Sequence, residues 1–184
     1  AFTVIYHDEV DASADAYWER TGISQSYDHL LLRASPQTDS GTGGTELRMS
    51  LNGATAYADY VDYSSHYLHA NGATVQAGRY STATGSPSFS LGYTTDTGET
   101  PANTFSDIEL WFPNYTNTTN WTVGINTTMR EQNLSIKMGG LLFAEQAALT
   151  AIKIWPLSNS FDQYSTFTLI GVSCDAQERK DGSN

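Results

Sequence analysis

The sequence predicts an all-β protein, an antiparallel β-sandwich of jelly-roll type with roughly ten strands. Apolar and polar residues alternate over short runs along most of the chain, and this is the period of a half-buried strand. Glycine, serine, threonine, asparagine and aspartate recur between the runs, at roughly the 8–12-residue spacing of short strands joined by turns. No segment has the longer apolar period of a helix, so we expect no long helix.

The clearest strands are predicted near the C-terminus, on the two sides of a turn. Ile152 and Ile154 flank the polar Lys153, and Pro156 ends this first strand. Threonine and isoleucine alternate with phenylalanine, leucine and glycine over residues 166–171, which predicts the second strand. Serine, asparagine and aspartate between the two runs supply turn chemistry. A two-faced β core is therefore expected in this region.

Other strands are predicted along the rest of the chain. Residues 14–20 fit either a strand or one helical turn, and the Asn-Gly pairs at 52–53 and 71–72 are hairpin signals. Polar loops are expected at residues 36–44, 94–103 and 114–120. The strand candidates are, in chain order, residues 2–6, 27–35, 46–52, 57–68, 73–81, 89–93, 105–112, 121–129 and 134–143.

The length of 184 residues fits one domain with a sizeable core. We expect this domain to cover residues 1–174, with an N-terminal arm over residues 1–11 and a polar C-terminal tail over residues 175–184. Cys174 is the one cysteine, so no intrachain disulfide is expected, and we expect it to be a partly buried residue at the end of the last strand. The sequence has no signal-peptide pattern and no apolar run that could span a membrane, which predicts synthesis in a cytoplasm and no membrane partner.

The chain is acidic but sparsely charged. It carries 20 acidic and 9 basic residues, a formal net charge of −11, and only 16% of its residues are charged. An acidic surface repels phosphate backbones, so nucleic acid is excluded as an expected partner. A surface of threonine, serine, asparagine and tyrosine suits neutral polar contacts with proteins or glycans.

The histidines do not predict a metal or catalytic site. His66 and His69 are three apart, and on a strand this spacing places them on opposite faces, where they cannot share one ion. We interpret residues 7–9 (His-Asp-Glu) as a solvated turn, and Asp28 with His29 as a structural hydrogen-bonding pair. Residues 94–99 have oxygen ligands that could bind calcium, but they lack the spacing of a known calcium loop, which favours a solvated loop. We therefore expect no catalytic residue, no metal and no cofactor.

Aromatic residues give the one candidate binding site. Trp111, Tyr115 and Trp121 lie in or beside a polar, asparagine-rich loop, with Phe112 next to them. Such rings can stack on a sugar or form core with one ring exposed. We name Trp111, Tyr115 and Trp121 as candidate glycan or receptor contacts.

Three separated phrases resemble small β-sandwich modules in tailed-bacteriophage virion proteins. The first, I-P-x-x-Y-x-x-L-x-L-x-x-S, matches at Ile23, Tyr27, Leu30, Leu32 and Ser35. The second, L-x-x-x-x-N-G-x-x-x-x-Y, matches at Leu47, Asn52 and Gly53, and Tyr57 lies one position before its tyrosine. The third, A-I-x-x-I-x-L … F-x-x-x-S-x-x-x-L-Y-G-I, matches at Ala151, Ile152, Phe161, Ser165, Leu169, Gly171 and Val172, and Ile154 lies one position before its second isoleucine. Two further positions depart from the pattern: no proline follows Ile23, and Ile170 replaces the tyrosine.

This resemblance implies a non-enzymatic virion structural protein. The narrower expectation is a capsid decoration (cement) protein of a bacteriophage, a homotrimer that binds the major capsid protein or other virion proteins on the assembled head. The alternative is a receptor- or glycan-binding module of a tail or head fibre, with a host glycan as partner. A small carbohydrate-active enzyme is a third reading, since jelly-roll folds also host such enzymes.

Overall fold

The computed structural model describes residues 1–41, 44–53, 63–81, 88–98, 104–130 and 135–174. Strands are the regular secondary structure of these residues, and none of them lies in a helix that could cross a membrane. In chain order the strands are β1 (Phe2–Glu9), β2 (Trp18–Thr21), β3 (His29–Ser35), β4 (Gln37–Thr38), β5 (Glu46–Leu51), β6 (Tyr63–Asn71), β7 (Thr74–Ser81), β8 (Phe89–Tyr93), β9 (Thr95–Asp96), β10 (Asp107–Pro113), β11 (Thr122–Arg130), β12 (Ser135–Phe143), β13 (Ala151–Pro156) and β14 (Thr166–Val172).

The strands form two antiparallel sheets in a sandwich-like arrangement. The large sheet has eight strands in the order β1-β14-β3-β10-β11-β12-β6-β7. The small sheet has four strands in the order β2-β13-β5-β8. A separate parallel pair joins β4 to β9. The all-β sandwich prediction is therefore confirmed.

The end of the chain pairs with its beginning in both sheets. β14 lies between β1 and β3 in the large sheet, and β13 lies between β2 and β5 in the small sheet. The chain therefore crosses repeatedly between the sheets, as a rolled-up β ribbon of jelly-roll type does. These pairings join residues far apart in sequence, so the fold depends on long-range contacts.

One core lies between the two sheets. Leu30 and Leu32 alternate with the half-buried Leu31 along β3, and both are fully buried. Across the core, Trp18 of the small sheet stacks on Phe167 of the large sheet, with ring centres 5.0 Å apart. Alternation along the strands selects these side chains for one face, and their burial is the main driving force for packing the two sheets together.

Glycine marks the predicted turns. Asn52 and Gly53 both have positive φ, as an Asn-Gly turn requires. Gly72 has a φ of +56° in the two-residue loop between β6 and β7, and Asn71 pairs with Thr74 across that loop. The Asn-Gly pair at 71–72 therefore marks a real hairpin.

Several local predictions are corrected. The described residues contain fourteen strands where roughly ten were expected, partly because the polar stretches at 36–44 and 94–103 contain β4 and β9, whose four residues are buried. Of the two alternatives for residues 14–20, the strand is confirmed, because their last residues begin β2. The N-terminal residues do not form a free arm: β1 pairs with β14 along the edge of the large sheet. The predicted tail at 175–184 lies outside the described residues.

Candidate functional site

The strands β11 and β12 present their polar side chains to the interior. Along β11, Asn126, Thr128 and Arg130 are buried, and along β12, Ser135 and Lys137 are buried. Because successive side chains of a strand point to opposite faces, the apolar residues between them point outward. This is the reverse of the usual arrangement in a sheet with one face on the core and one in water.

The outward side chains form an exposed apolar surface on the large sheet. Ile125 is 57% exposed and Val75 is 73% exposed, although both lie within paired strands. We call this surface the outer face. Its exposed apolar members are Val4, Leu68, Val75, Val123, Ile125, Met129, Ile136 and Met138.

The register of the large sheet makes this surface continuous. Met129 of β11 pairs with Ile136 of β12, and Ile136 pairs with Ala70 of β6, which in turn pairs with Val75 of β7. Directly paired residues point to the same face of a sheet and lie close enough for their side chains to touch. These four residues therefore form one apolar row across four strands.

A second row crosses the other half of the large sheet. Val4 pairs with Ile170, Ile170 with Leu31, Leu31 with Trp111, and Trp111 with Ile125. Val4 and Ile125 are exposed, and the three residues between them are half-buried. The outer face thus extends from the edge strand β1 to β11.

Three charged groups on the outer face, those of Arg33, Asp107 and Glu109, are paired with one another. The guanidinium of Arg33 lies 3.0 Å from a carboxylate oxygen of Asp107 and 2.8 Å from one of Glu109. All three side chains are about half exposed, so these ion pairs add little stability.

Of the predicted aromatic contacts, two are accessible and one is not. Trp121 is 54% exposed and lies directly before β11. Trp111 is half-buried on the outer face, with its ring centre 5.2 Å from that of His29. The prediction for Tyr115 is wrong, because its side chain is fully buried and its hydroxyl donates to the carbonyl oxygen of Ser24. Burial also raises the pKa of Tyr115.

The histidines lie where strand alternation predicts. His66 is exposed and His69 half-buried, on opposite faces of β6. His7 is hydrogen-bonded to Thr168 at 2.8 Å and lies in strand β1, where a turn was expected. Among the described residues, no three His, Cys, Asp or Glu side chains converge to hold a metal ion.

Asp28 and His29 make structural hydrogen bonds, as predicted. A carboxylate oxygen of Asp28 accepts from the Cys174 backbone nitrogen at 2.6 Å, and His29 Nδ1 accepts from the Asn114 backbone nitrogen at 3.0 Å. Cys174 itself is exposed, where a partly buried residue was expected. Its Sγ lies 3.3 Å from His29 Nε2. Cys174 follows β14 at the end of the described chain, where few groups cover it.

The stretch at 94–98 is not a solvated loop. Thr94, Thr95 and Asp96 are buried. The carboxylate of Asp96 accepts hydrogen bonds from the backbone nitrogens of Gly44 (2.6 Å) and Gly98 (2.8 Å). Asp96 therefore ties neighbouring loops together, which is a structural use of the oxygens proposed as calcium ligands; Glu99 lies outside the described residues.

Comparisons with known proteins return no relative. The sequence matches no family model, no curated protein and no solved structure. The fold defines an antiparallel β-sandwich protein, and its function has to be argued from the surfaces of the large sheet.

Proposed function

We propose that this chain is a non-enzymatic structural protein of a tailed-phage virion, and more narrowly a capsid decoration protein. The observation that carries the proposal is the outer face, an apolar surface spread over paired strands of the large sheet. Monomeric proteins rarely expose apolar patches larger than a few hundred Å², and larger ones mark interaction sites.

A protein neighbour suits this surface better than a charged ligand does. The apolar rows contain no charged residue from Met129 to Val75 or from Val4 to Ile125. Protein interfaces are depleted of charge at their centre and enriched in aromatic residues and methionine, and the outer face contributes Met129, Met138 and Trp111. The occupant we assign to it is the protein shell of the phage head, formed by the major capsid protein.

The remaining parts of the proposal rest on the three phrases shared with phage modules. They favour a homotrimer placed on a symmetry axis of the head, and location in the virion after synthesis in the host cytoplasm. Sedimentation equilibrium of the isolated chain tests the trimer separately from binding to heads.

The test of the proposal is a mixing experiment. Purified protein is added to phage heads that lack it, and binding is followed by sedimentation and electron microscopy. We expect saturable, regular density on the head lattice and greater thermal resistance of the heads. Absence of binding to heads would reject the decoration role.

Two variants test the surface itself. Ile125→Lys and Met138→Lys place a charge on the outer face at exposed positions, so we expect them to fold and to bind heads at least about tenfold more weakly. Leu157→Lys is the matched control, because Leu157 is 61% exposed and follows β13 of the small sheet. Binding of all three variants at the wild-type level would show that another surface contacts the head.

A receptor- or glycan-binding module of a fibre is the second candidate. The exposed ring of Trp121 favours it, since an exposed tryptophan can stack on a sugar. This function requires binding to host cells that Trp121→Ala abolishes, with no effect of the protein on head stability.

A further inference from the structure

The small sheet leaves part of the large sheet uncovered on its inner side. β8 is the edge strand of the small sheet, and it contacts β11, β12 and β6 of the large sheet. Beside β8 there is an open cavity of about 350 Å³ that reaches from β5 to β7. This cavity lies on the opposite side of the large sheet from the outer face.

Three of the lining side chains stand in one row. Lys137 of β12 pairs with His69 of β6, and His69 pairs with Gln76 of β7. Directly paired residues point to the same face, so a positive charge, an imidazole and an amide stand side by side along the cavity. Tyr67 and Asn71, two residues on either side of His69, line the same cavity.

The cavity wall is cationic although the chain is acidic. Arg130 and Lys137 line it and are only 8% and 6% exposed. Glu46 also lines it, but its carboxylate accepts a hydrogen bond from Arg48 at 2.7 Å. Among the described lining residues, these two cations and one carboxylate leave a formal charge of +1, in a chain whose net charge is −11. Charges that are shielded from water act more strongly on a ligand than exposed ones.

The cationic groups are held in place by their neighbours. The ammonium of Lys137 donates to the Ser90 carbonyl and hydroxyl oxygens, both at 2.8 Å, and lies 4.7 Å from the centre of the Tyr67 ring. The guanidinium carbon of Arg130 lies 5.6 Å from the ring centre of Tyr93. A site whose charges are already oriented loses little entropy on binding.

We propose that this cavity binds an acidic saccharide, with the sugar carboxylate beside Lys137 and Arg130. Tyr67 and Tyr93 line the cavity beside the two cations, and the amides of Asn71 and Gln76 can hydrogen-bond the hydroxyls of a sugar. The volume is at the lower end for ligand sites and suits one sugar residue. A uronic acid and a sialic acid share this chemistry. The inference does not depend on what covers the outer face.

The proposed saccharide binding should also depend on pH, because two of the lining groups change their charge. Burial lowers the pKa of Lys137 to about 8, so its charge is lost as the pH rises above that value. Burial, with Lys137 and Arg130 nearby, lowers the pKa of His69, which makes its charge available only in acid. Saccharide binding is therefore strongest in mildly acidic solution, where the sugar carboxylate is still ionised, and weakens through pH 8. Among the described residues, the charged and titratable groups facing Lys137 are Glu46 and Arg48 from β5, Tyr67 and His69 from β6, Tyr93 from β8 and Arg130 from β11; β7 contributes the neutral Gln76.

The experiment is a titration of the full chain followed by backbone-amide NMR. Sodium glucuronate and N-acetylneuraminate are the probes, with glucose and inorganic phosphate as controls. We expect saturable shifts around Gln76 and Tyr93 with at least one acidic sugar, no such shifts with glucose or phosphate, and about fivefold weaker binding at about pH 9.5 than at about pH 7. Binding of one acidic sugar and not the other identifies the source of the carboxylate.

Variants make the test specific. Lys137→Met should weaken binding at least about tenfold, and Gln76→Ala, at an exposed position, should weaken it without affecting the fold. Arg33→Met, which removes an exposed arginine on the outer face, should leave it unchanged. If Lys137→Met does not fold, the proposal is tested by binding to Gln76→Ala and by the pH dependence of binding to the wild type. No binding of either acidic sugar, equal binding of phosphate or glucose, or unchanged binding in Gln76→Ala would overturn the proposal.

Discussion

The ring of Tyr27 packs directly on the backbone of Gly171. A Cβ atom at position 171 would lie 2.4 Å from the nearest ring carbons of Tyr27, which is closer than side chains approach in proteins. Tyr27 precedes β3 and Gly171 lies in β14, the neighbour of β3 in the large sheet, so this contact joins two segments that are far apart in the sequence.

Gly171→Ala should therefore destabilise the protein. The added methyl group displaces the Tyr27 ring, and overpacking of this kind costs about 1–3 kcal/mol in the free energy of unfolding. Denaturant unfolding measures the change. In a Tyr27→Ala background the same substitution should cost much less, because the obstructing ring is gone.

Gly140→Ala is the matched control for this prediction. Gly140 also lies within a strand of the large sheet, but a Cβ there meets no atom within 4 Å. The substitution should be neutral or slightly stabilising. If Gly171→Ala and Gly140→Ala lower the free energy of unfolding equally, the loss comes from replacing any glycine in a strand and not from the contact with Tyr27.

Leu169→Asp should abolish cooperative folding. Leu169 of β14 is 1% exposed and lies in the core, so the substitution buries an unpaired carboxylate at a cost of several kcal/mol. Soluble expression and a thermal melt test this, with Leu157→Asp at an exposed position as the control. A soluble Leu169→Asp protein with a cooperative melt would contradict the placement of β14 in the core.

Thr128→Val tests the polar interior of β11. The hydroxyl of Thr128 donates to the Leu91 carbonyl oxygen at 2.7 Å, and the Asn126 side-chain nitrogen donates to the same oxygen at 3.1 Å. Valine has the same shape but no donor, so we expect a loss of about 0.5–1.5 kcal/mol in the free energy of unfolding.

Thr127→Val, on the opposite face of β11, is the control for that loss. Thr127 is half-buried and pairs with Met138 on the outer face, so its replacement should change stability by no more than about 0.5 kcal/mol. A larger loss in Thr127→Val than in Thr128→Val would reverse the assignment of the two faces.

The sequence predicts strands well wherever apolar residues alternate against a dry core. β3, β10 and β14 begin and end within about two residues of their predicted positions, because their alternating apolar side chains mark a buried face. The short strands β4 and β9 escape prediction. Their polar residues are buried through hydrogen bonds to one another, such as Thr38 Oγ1 to the Thr95 carbonyl oxygen at 3.2 Å, and alternation does not reveal these.

The functional surfaces are harder to predict for a related reason. Alternation along β11 separates Ile125 from Asn126, but it does not say which of them faces inward. The polar side chains point inward because they donate hydrogen bonds to carbonyl oxygens of β8. Since β8 is distant in the sequence, the pattern along β11 does not reveal these bonds. Tyr115 illustrates the same limit: a single ring buried from within a polar loop has no pattern around it.

The buried ammonium of Lys137 should make the stability of the protein depend on pH. Burial lowers its pKa in the folded state to about 8, whereas the unfolded chain keeps a pKa near the ordinary lysine value of 10.5. Between these values the unfolded state binds more protons, so the free energy of unfolding rises with pH, by about 2 kcal/mol between about pH 7 and about pH 9.5. His69 titrates below this range, because its pKa is lowered from 6.5, and Tyr63 above it, because burial raises its pKa to about 12. Denaturant unfolding across this range measures the rise, and Lys137→Met should remove it. A wild-type profile as flat as that of the variant would show that Lys137 keeps an ordinary pKa in the folded protein.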